Sequence, residues 1–331
     1  MATFTDSGYP TLVDVTKRLR PDGSVETDMA ELLQKKLPFI QDIPWIESNM
    51  PTGHLVTSRT GLPTPTWRGF NEGVDPTKTE SEQYVESMGM LRDYSNVDPD
   101  FAKLHGDIAA FRMSEDKGKI EAFGQEVERS FLYESILTAP KRIHGLTPRY
   151  PATSGYTASD YVIGLGTRSG TNCQSIWLIN WDPDSLFGIY PKHSVAGLQK
   201  RDLGEQMVTS PVNGKQMTAL VTEISWDLGL CVKDYRKAVR LQWDPDDTEG
   251  VSDTGKSLYL GLQRMIDTVH DLGPHARFYM SRVSMAKLNQ QVASNAEGSL
   301  QWVELNGRLT PHFRGIPIRI SDTLTGETAI S

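Results

Sequence analysis

Residues 98–139 read DPDFAKLHGDIAAFRMSEDKGKIEAFGQEVERSFLYESILTA. Asp98 and Pro99 form a helix start: a side-chain oxygen to cap free backbone N–H groups, then proline where its missing donor costs nothing. Phe101, Leu104, Ile108 and Phe111 fall on one helical face. That face resumes at Ile120, Phe123, Val127 and Phe131, with Leu132 and Ile136 beside it. The polar run Ser114–Lys119 lies between the halves and contains Gly118. The pattern predicts one long helix weakened or bent near Gly118, or two helices in line, ended by Pro140. A helix over the whole span would be about 60 Å long. That exceeds what a compact domain needs, and a rod of this kind braces an extended or plate-like subunit.

At 331 residues the chain makes two domains, or one large domain with excursions. Hydrophobic residues are 38%, below the usual globular share, and 19 Pro with 28 Gly point to loops and arms alongside ordinary cores. A net charge of −8 fits poorly with gripping nucleic acid through a basic stripe, though not with merely enclosing it. Met1–Pro10 has no basic n-region and no apolar run, so no signal peptide is expected. No stretch approaches the apolar length of a membrane span. Cys173 and Cys231 sit in apolar, strand-like segments and read as two buried reduced thiols, in keeping with an intracellular origin.

Residues 1–26 are polar and read as an arm. Met29–Leu37 reads as a short amphipathic helix closed by Pro38, followed by an apolar cluster from Phe39 to Ile46. Between Met50 and Val97, His54–Arg59 and Thr66–Phe70 read as two strands broken apart by Gly61-Leu-Pro-Thr-Pro. Asn71–Gln83 is acidic and poor in core-forming residues. The segment fits a disordered loop or a long hairpin whose partners come from another chain. Trp67, Arg68 and Phe70 favour the hairpin, because exposed aromatics and arginine are enriched at interfaces.

Downstream, Thr171–Trp181 and Phe187–Tyr190 are strand-like, and Met217–Trp226 with Leu228–Trp243 read as a strand pair joined through Asp227-Leu-Gly. Trp-Asp-Pro-Asp occurs twice, at 181–184 and 243–246. A buried tryptophan at a strand end before an Asp-Pro turn explains it better than an ion site. Ser257–Leu272 and Ser284–Ala293 read as helices, and Arg277–Met280, Trp302–Leu305 and Ile316–Ile320 as strands. The class is α+β, with no βαβ rhythm.

Gly250-Val-Ser-Asp-Thr-Gly-Lys-Ser257 matches the phosphate-loop pattern G-x-x-x-x-G-K-S. Its upstream context is wrong. Asp244, Asp246, Asp247 and Glu249 separate it from the strand and would oppose an anionic ligand. No apolar strand ending in Asp follows to hold magnesium. An acidic turn and a helix start are the expected structure. Gly164–Gly170 lacks the dinucleotide spacing and reads as a loop. The seven histidines show no metal-ligand spacing, and nothing marks a carboxylate pair for acid–base work. No catalytic, cofactor or metal residues are therefore assigned, and the chain is read as not an enzyme.

Several runs, taken in order, resemble major capsid proteins of tailed bacteriophages with the Hong Kong 97 fold, nearest to those of short-tailed phages, including one infecting Bordetella. They are the acidic long helix leading into Ile143-His-Gly-Leu-Thr-Pro-Arg-Tyr-Pro151, Ser175-Ile-Trp-Leu-Ile-Asn-Trp181 and Phe187-Gly-Ile-Tyr-Pro191. Trp226-Asp-Leu-Gly-Leu-Cys-Val-Lys-Asp-Tyr-Arg236 and Phe278-Tyr-Met-Ser-Arg-Val-Ser-Met-Ala-Lys-Leu288 complete the set, which covers roughly residues 30–325. The resemblance implies an N-terminal arm (1–30), a short helix and linker (31–49) and an extended hairpin, or E-loop (50–96). After these it implies a peripheral domain (97–250) carrying a spine helix (98–139), and an axial domain with the last strands (251–331). It implies hexamers and pentamers of an icosahedral head enclosing double-stranded DNA, formed in the bacterial host cytoplasm. The implied partners are copies of the chain, a portal, and scaffolding and decoration (cement) proteins, with no cofactor and no membrane. Trp67, Arg68 and Phe70 become candidate subunit-interface residues. Some relatives crosslink through a Lys and an Asn, but no position here matches and that chemistry is not carried over. The alternatives are a nucleotide-binding enzyme using 250–257 and a non-viral encapsulating shell protein of the same fold.

Overall fold

A computed structural model describes residues 35–103, 108–210, 214–246, 257–294, 300–305 and 308–330. The expected arm (1–30) and residues 250–256 of the phosphate-loop match lie outside the described residues. The helices are α1 (Pro38–Asp42), α2 (Pro99–Lys103), α3 (Ile108–Tyr133), α4 (Leu258–Thr268) and α5 (Arg282–Ser294). The strands begin with β1 (Trp45–Glu47), β2 (Gly53–Gly61), β3 (Glu80–Val97), β4 (Val162–Leu165), β5 (Gln174–Asn180) and β6 (Leu186–Tyr190). They continue with β7 (Gln199–Thr209), β8 (Gln216–Val232), β9 (Ala238–Trp243), β10 (Ala276–Met280), β11 (Leu300–Leu305), β12 (Arg308–Phe313) and β13 (Ile316–Ile320).

Two sheets carry these strands. One runs β1-β6-β8-β3-β2, with β7 also paired to β8; the other runs β11-β12-β13-β10-β5-β9-β4. The second sheet is covered on both faces, so every residue of β5 and β9 is buried. That explains the apolar run Ile176–Ile179 in β5, while in β9 the buried Arg240 and Gln242 are satisfied by hydrogen bonds. Ile176, Leu178, Leu241 and Phe278 pack on one face with Leu262 and Met265 of α4. Trp177, Ile179 and Tyr279 face the other core, shared with Phe123, Val127 and Phe131 of α3 and with Trp226 and Leu228 of β8. The two Trp-Asp-Pro-Asp runs are turns at the ends of β5 and β9, as expected. Trp181 Nε1 donates to Tyr279 Oη at 2.6 Å, and Trp243 Nε1 donates to Ser284 Oγ at 3.0 Å. Asp182 and Asp244 each accept the backbone N–H two residues on.

Several elements differ from the sequence expectation. The long helix is two, α2 and α3, and the charged run 114–119 is not where it breaks. Its charges dock on the neighbouring sheet: Lys200 pairs with the buried Asp116 at 2.6 Å and Lys119 with Asp93 at 2.6 Å. One turn earlier, Arg112 forks onto Asp202 and also donates to Thr222. The helix ends at Tyr133, well before Pro140. There the chain folds back, so that Leu146 N donates to Phe131 O and Gly145 N to Glu134 O, each at 2.8 Å. Only glycine fits at 145, because a Cβ would lie 2.7 Å from Ser130 O. At the other end of the described chain, Lys35–Leu37 is not helical and Pro38 opens α1 rather than closing a helix. Its missing N–H suits that first position.

β8 is a single 17-residue strand running through Asp227-Leu-Gly229, where a turn was expected. Asp227 holds that register by accepting both guanidinium N–H groups of Arg92 on β3. The chain reverses instead after Val232, where Asp234 accepts Arg236 N. Gly164 and Leu165, expected in a loop, belong to β4; the loop follows, with Gly166 and Gly170 at positive φ. β7 was not anticipated, because its residues are almost all exposed and show no apolar face. A division of the chain at residue 250 falls within the seven-stranded sheet, since β4, β5 and β9 precede it and β10–β13 follow.

Candidate assembly interface

β2 and β3 pair antiparallel from Gly53↔Ser87 up to Gly61↔Glu80 and form a hairpin on the edge of the first sheet. The returning strand is β3, not the expected Thr66–Phe70, which has no strand pairing. Pro63 and Pro65 cannot donate ladder hydrogen bonds, so the chain stays extended and unpaired there. β3 then continues past β2 and pairs with β8 from Met88↔Gly229 to Val97↔Leu220. The hairpin is thus an outward extension of a strand rooted in the sheet.

Its root is fastened by charge and by packing. Arg149 forks onto Glu86 at 2.6 and 2.7 Å and also donates to His144 O. Both partners are largely shielded, at 15% and 7% side-chain exposure. Tyr84 Oη donates to Val232 O, and the His54 ring sits edge-on to Phe187. Burial pushes the His54 and His144 imidazoles below their usual range and the Tyr84 phenol up to about 12. The base is a fixed joint, and the described interactions thin out toward the tip.

The tip carries the three residues singled out from the sequence. Trp67 is 99% exposed and Phe70 100% exposed, with Arg68 exposed between them. Leu62 and Val74 are exposed in the same connection. Locally, Gly69 N donates to the Glu72 carboxylate at 2.7 Å and Asn71 adopts a positive φ. The structure brings the three side chains onto one protruding connection and buries none of them in its own subunit.

The remaining chemistry is structural. Among the described residues no group of His, Cys, Asp and Glu is arranged to hold a metal. No helix among them is long and apolar enough to cross a membrane. Ser257 precedes α4, as a helix start should, and its hydroxyl donates to Gln291 Oε1 at 3.2 Å. Buried Arg240 is held by Glu327, Ser175 and Tyr150 O, which ties the chain's last segment to β5 and β9. One residue stood unmarked in the sequence. Glu128 on α3 is wholly buried, and none of its described partners is a cation. Ser321 Oγ donates to it, with Phe39 N–H and Thr323 beside it. Burial first, with Asp322 nearby, raises its carboxyl to about 7. Its place on the inner face of the helix, one residue after Val127, was the available signal.

The model of one protein family, described as major capsid protein GP7, matches residues 20–330. No curated protein matches the chain. Among solved structures, a chain of bacteriophage Epsilon15 is 25% identical and aligns over 100% of this chain and 99% of that one, with a TM-score of 0.78. A chain of the bacteriophage JBD30 capsid shares the fold at 10% identity, over 98% of this chain and 100% of that one, with a TM-score of 0.53. The family match over nearly the whole length, with the Epsilon15 likeness over the full chain, leads to one conclusion: the chain belongs to the GP7 family of major capsid proteins, structural proteins of the phage shell with the Hong Kong 97-like fold.

Proposed function

We propose that the chain assembles into hexamers and pentamers of an icosahedral, short-tailed phage head that encloses double-stranded DNA. In this reading residues 50–96 are the E-loop, and Trp67, Arg68 and Phe70 are buried against a neighbouring subunit. The observation that carries it is the fully exposed aromatic tip on a hairpin whose root is fixed. A shell subunit gains much of its stability from burial between copies, so apolar groups useless to the monomer become useful in the particle. The first sheet with α3 serves as the peripheral domain, and the seven-stranded sheet with α4 and α5 as the axial domain. Residues 1–30 are the arm. A net charge of −8 suits a container that does not grip its genome. Assembly takes place in the host cytoplasm with a portal and with scaffolding and cement proteins. Negative-stain micrographs of the purified chain test the reading: closed isometric shells are expected, and a chain that stays monomeric at all concentrations overturns it.

A further inference from the structure

Two segments far apart in the chain lie together along the second half of α3. Residues 35–39 and 321–325 are joined reciprocally: Lys36 N donates to Asp322 Oδ2 at 3.0 Å, and Asp322 N donates to Lys36 O at 3.3 Å. The strap they form meets the helix at four levels. Lys35 N donates to Glu121 Oε1 at 3.0 Å. Leu37 comes so near Gly124 that a Cβ there would lie 2.9 Å from its Cδ1. Ser321 Oγ donates to Glu128, and Thr325 N donates to Tyr133 Oη at 3.2 Å. Glu128, wholly buried, sits beneath the middle of the strap.

We propose that this strap is a proton-controlled clasp, closed on α3 while the Glu128 carboxyl is neutral and lifted when that carboxyl gives its proton to water. Glu128 Oε2 is buried without a hydrogen bond among the described residues. The cations of the joint are taken: Arg282 forks onto Asp322 at 2.5 and 2.9 Å, and Arg319 reaches Asp42 at 3.4 Å. Lys35 and Lys36 are exposed. A carboxylate held there lacks both water and a counter-charge, and lifting the strap supplies water. The ends of the strap are fixed, since Phe39 stacks on Tyr279 at 4.0 Å and Ser321 N donates to Met280 O. Between them, Leu324 is the core side chain that lifting withdraws. Arg282 holds Asp322 below the usual carboxylate range, and burial pushes the Tyr133 and Tyr279 phenols up, so none of these three changes charge between pH 5 and 8. Glu128 does: its value is about 7 when closed and returns to about 4.5 when released. The closed form therefore holds the extra proton, and lifting becomes easier as pH rises from about 4.5 to about 7. Release frees α3 to move against the seven-stranded sheet without unfolding either core.

The test follows amide exchange in the full chain as free subunits at pH 5, 6, 7 and 8, with and without low urea, for wild type and Glu128→Gln. Corrected for the intrinsic rate, protection at the amides of Lys36, Asp322, Thr323 and Thr325 should fall about 70-fold from pH 5 to pH 8. Low urea should leave these four unchanged, because lifting exposes little surface, while it speeds exchange in β5 and β9, which open with the whole chain. In Glu128→Gln the four amides should stay protected across the series. Protection in wild type that is flat with pH, or a urea dependence there matching that of β5 and β9, overturns the clasp whether or not the variant folds. So does an equal pH dependence in the variant.

Discussion

Glu128 makes the folded subunit less stable as pH rises, and Glu128→Gln should remove that dependence. The carboxyl is buried on α3 against Ser321 and Thr323, with Asp322 close by and no cation among its described partners. Its folded value of about 7 lies above the ordinary 4.5. Across that window the native state binds more protons than the unfolded state, so stability is full below about pH 4.5 and is lost as pH rises through about 7. The linkage amounts to roughly 3 kcal/mol by pH 8. His54 and His144 act in the opposite sense. Burial lowers their values, so they cost stability as pH falls through the ordinary imidazole range. The difference between wild type and Glu128→Gln isolates the carboxyl. Urea unfolding of the dissociated subunit at pH 5, 6, 7 and 8 should show the variant gaining on wild type by about 2.5 kcal/mol between the ends of the series, since part of the linkage is already lost at pH 5. Parallel pH profiles for the two proteins would refute the reasoning.

Arg149→Ala leaves Glu86 shielded without its cation and should cost about 3–5 kcal/mol; Arg149→Met with Glu86→Leu should recover most of it, read by denaturant midpoints. Trp67→Ala with Arg68→Ala should change subunit stability by no more than about 0.5 kcal/mol, because both side chains are exposed. The same pair should abolish closed shells in micrographs, since truncating interface anchors costs about 2 kcal/mol or more per copy; normal shells would contradict it. Cys173 lies just before β5, in an isolated bridge to Glu327, and Cys231 lies in β8 of the other sheet; burial raises both thiols, Cys231 to about 12. Both should resist a thiol reagent until urea is added, and non-reducing gels should show no disulfide-linked ladder.

The sequence was most legible where burial dictates residue type. β5, β6, β10 and β13 lie close to where their apolar runs place them, and α4 follows its helical stripe. It was least legible where partners lie far away in the chain. The charges of residues 114–119 look like a break until Asp93 and Lys200 are in view. Asp227-Leu-Gly229 looks like a turn until Arg92 is seen across the sheet. β3 and β7 carry no apolar stripe, because their ladders with β8 fix them through backbone pairing rather than through a buried face. The candidate site was legible as residues, since Trp67, Arg68 and Phe70 stand out in a segment without a core. Their setting was not, because the strand that returns from the tip begins at Glu80, inside a run that reads as polar loop.

Amide hydrogen exchange across residues 62–79, compared between free subunits and assembled particles, tests the central claim most directly. Described backbone N–H groups there form no strand ladder, so exchange should be fast in the free subunit. If the tip is buried against a neighbour, exchange should slow by several orders of magnitude in particles. Equal exchange in both forms would contradict the account.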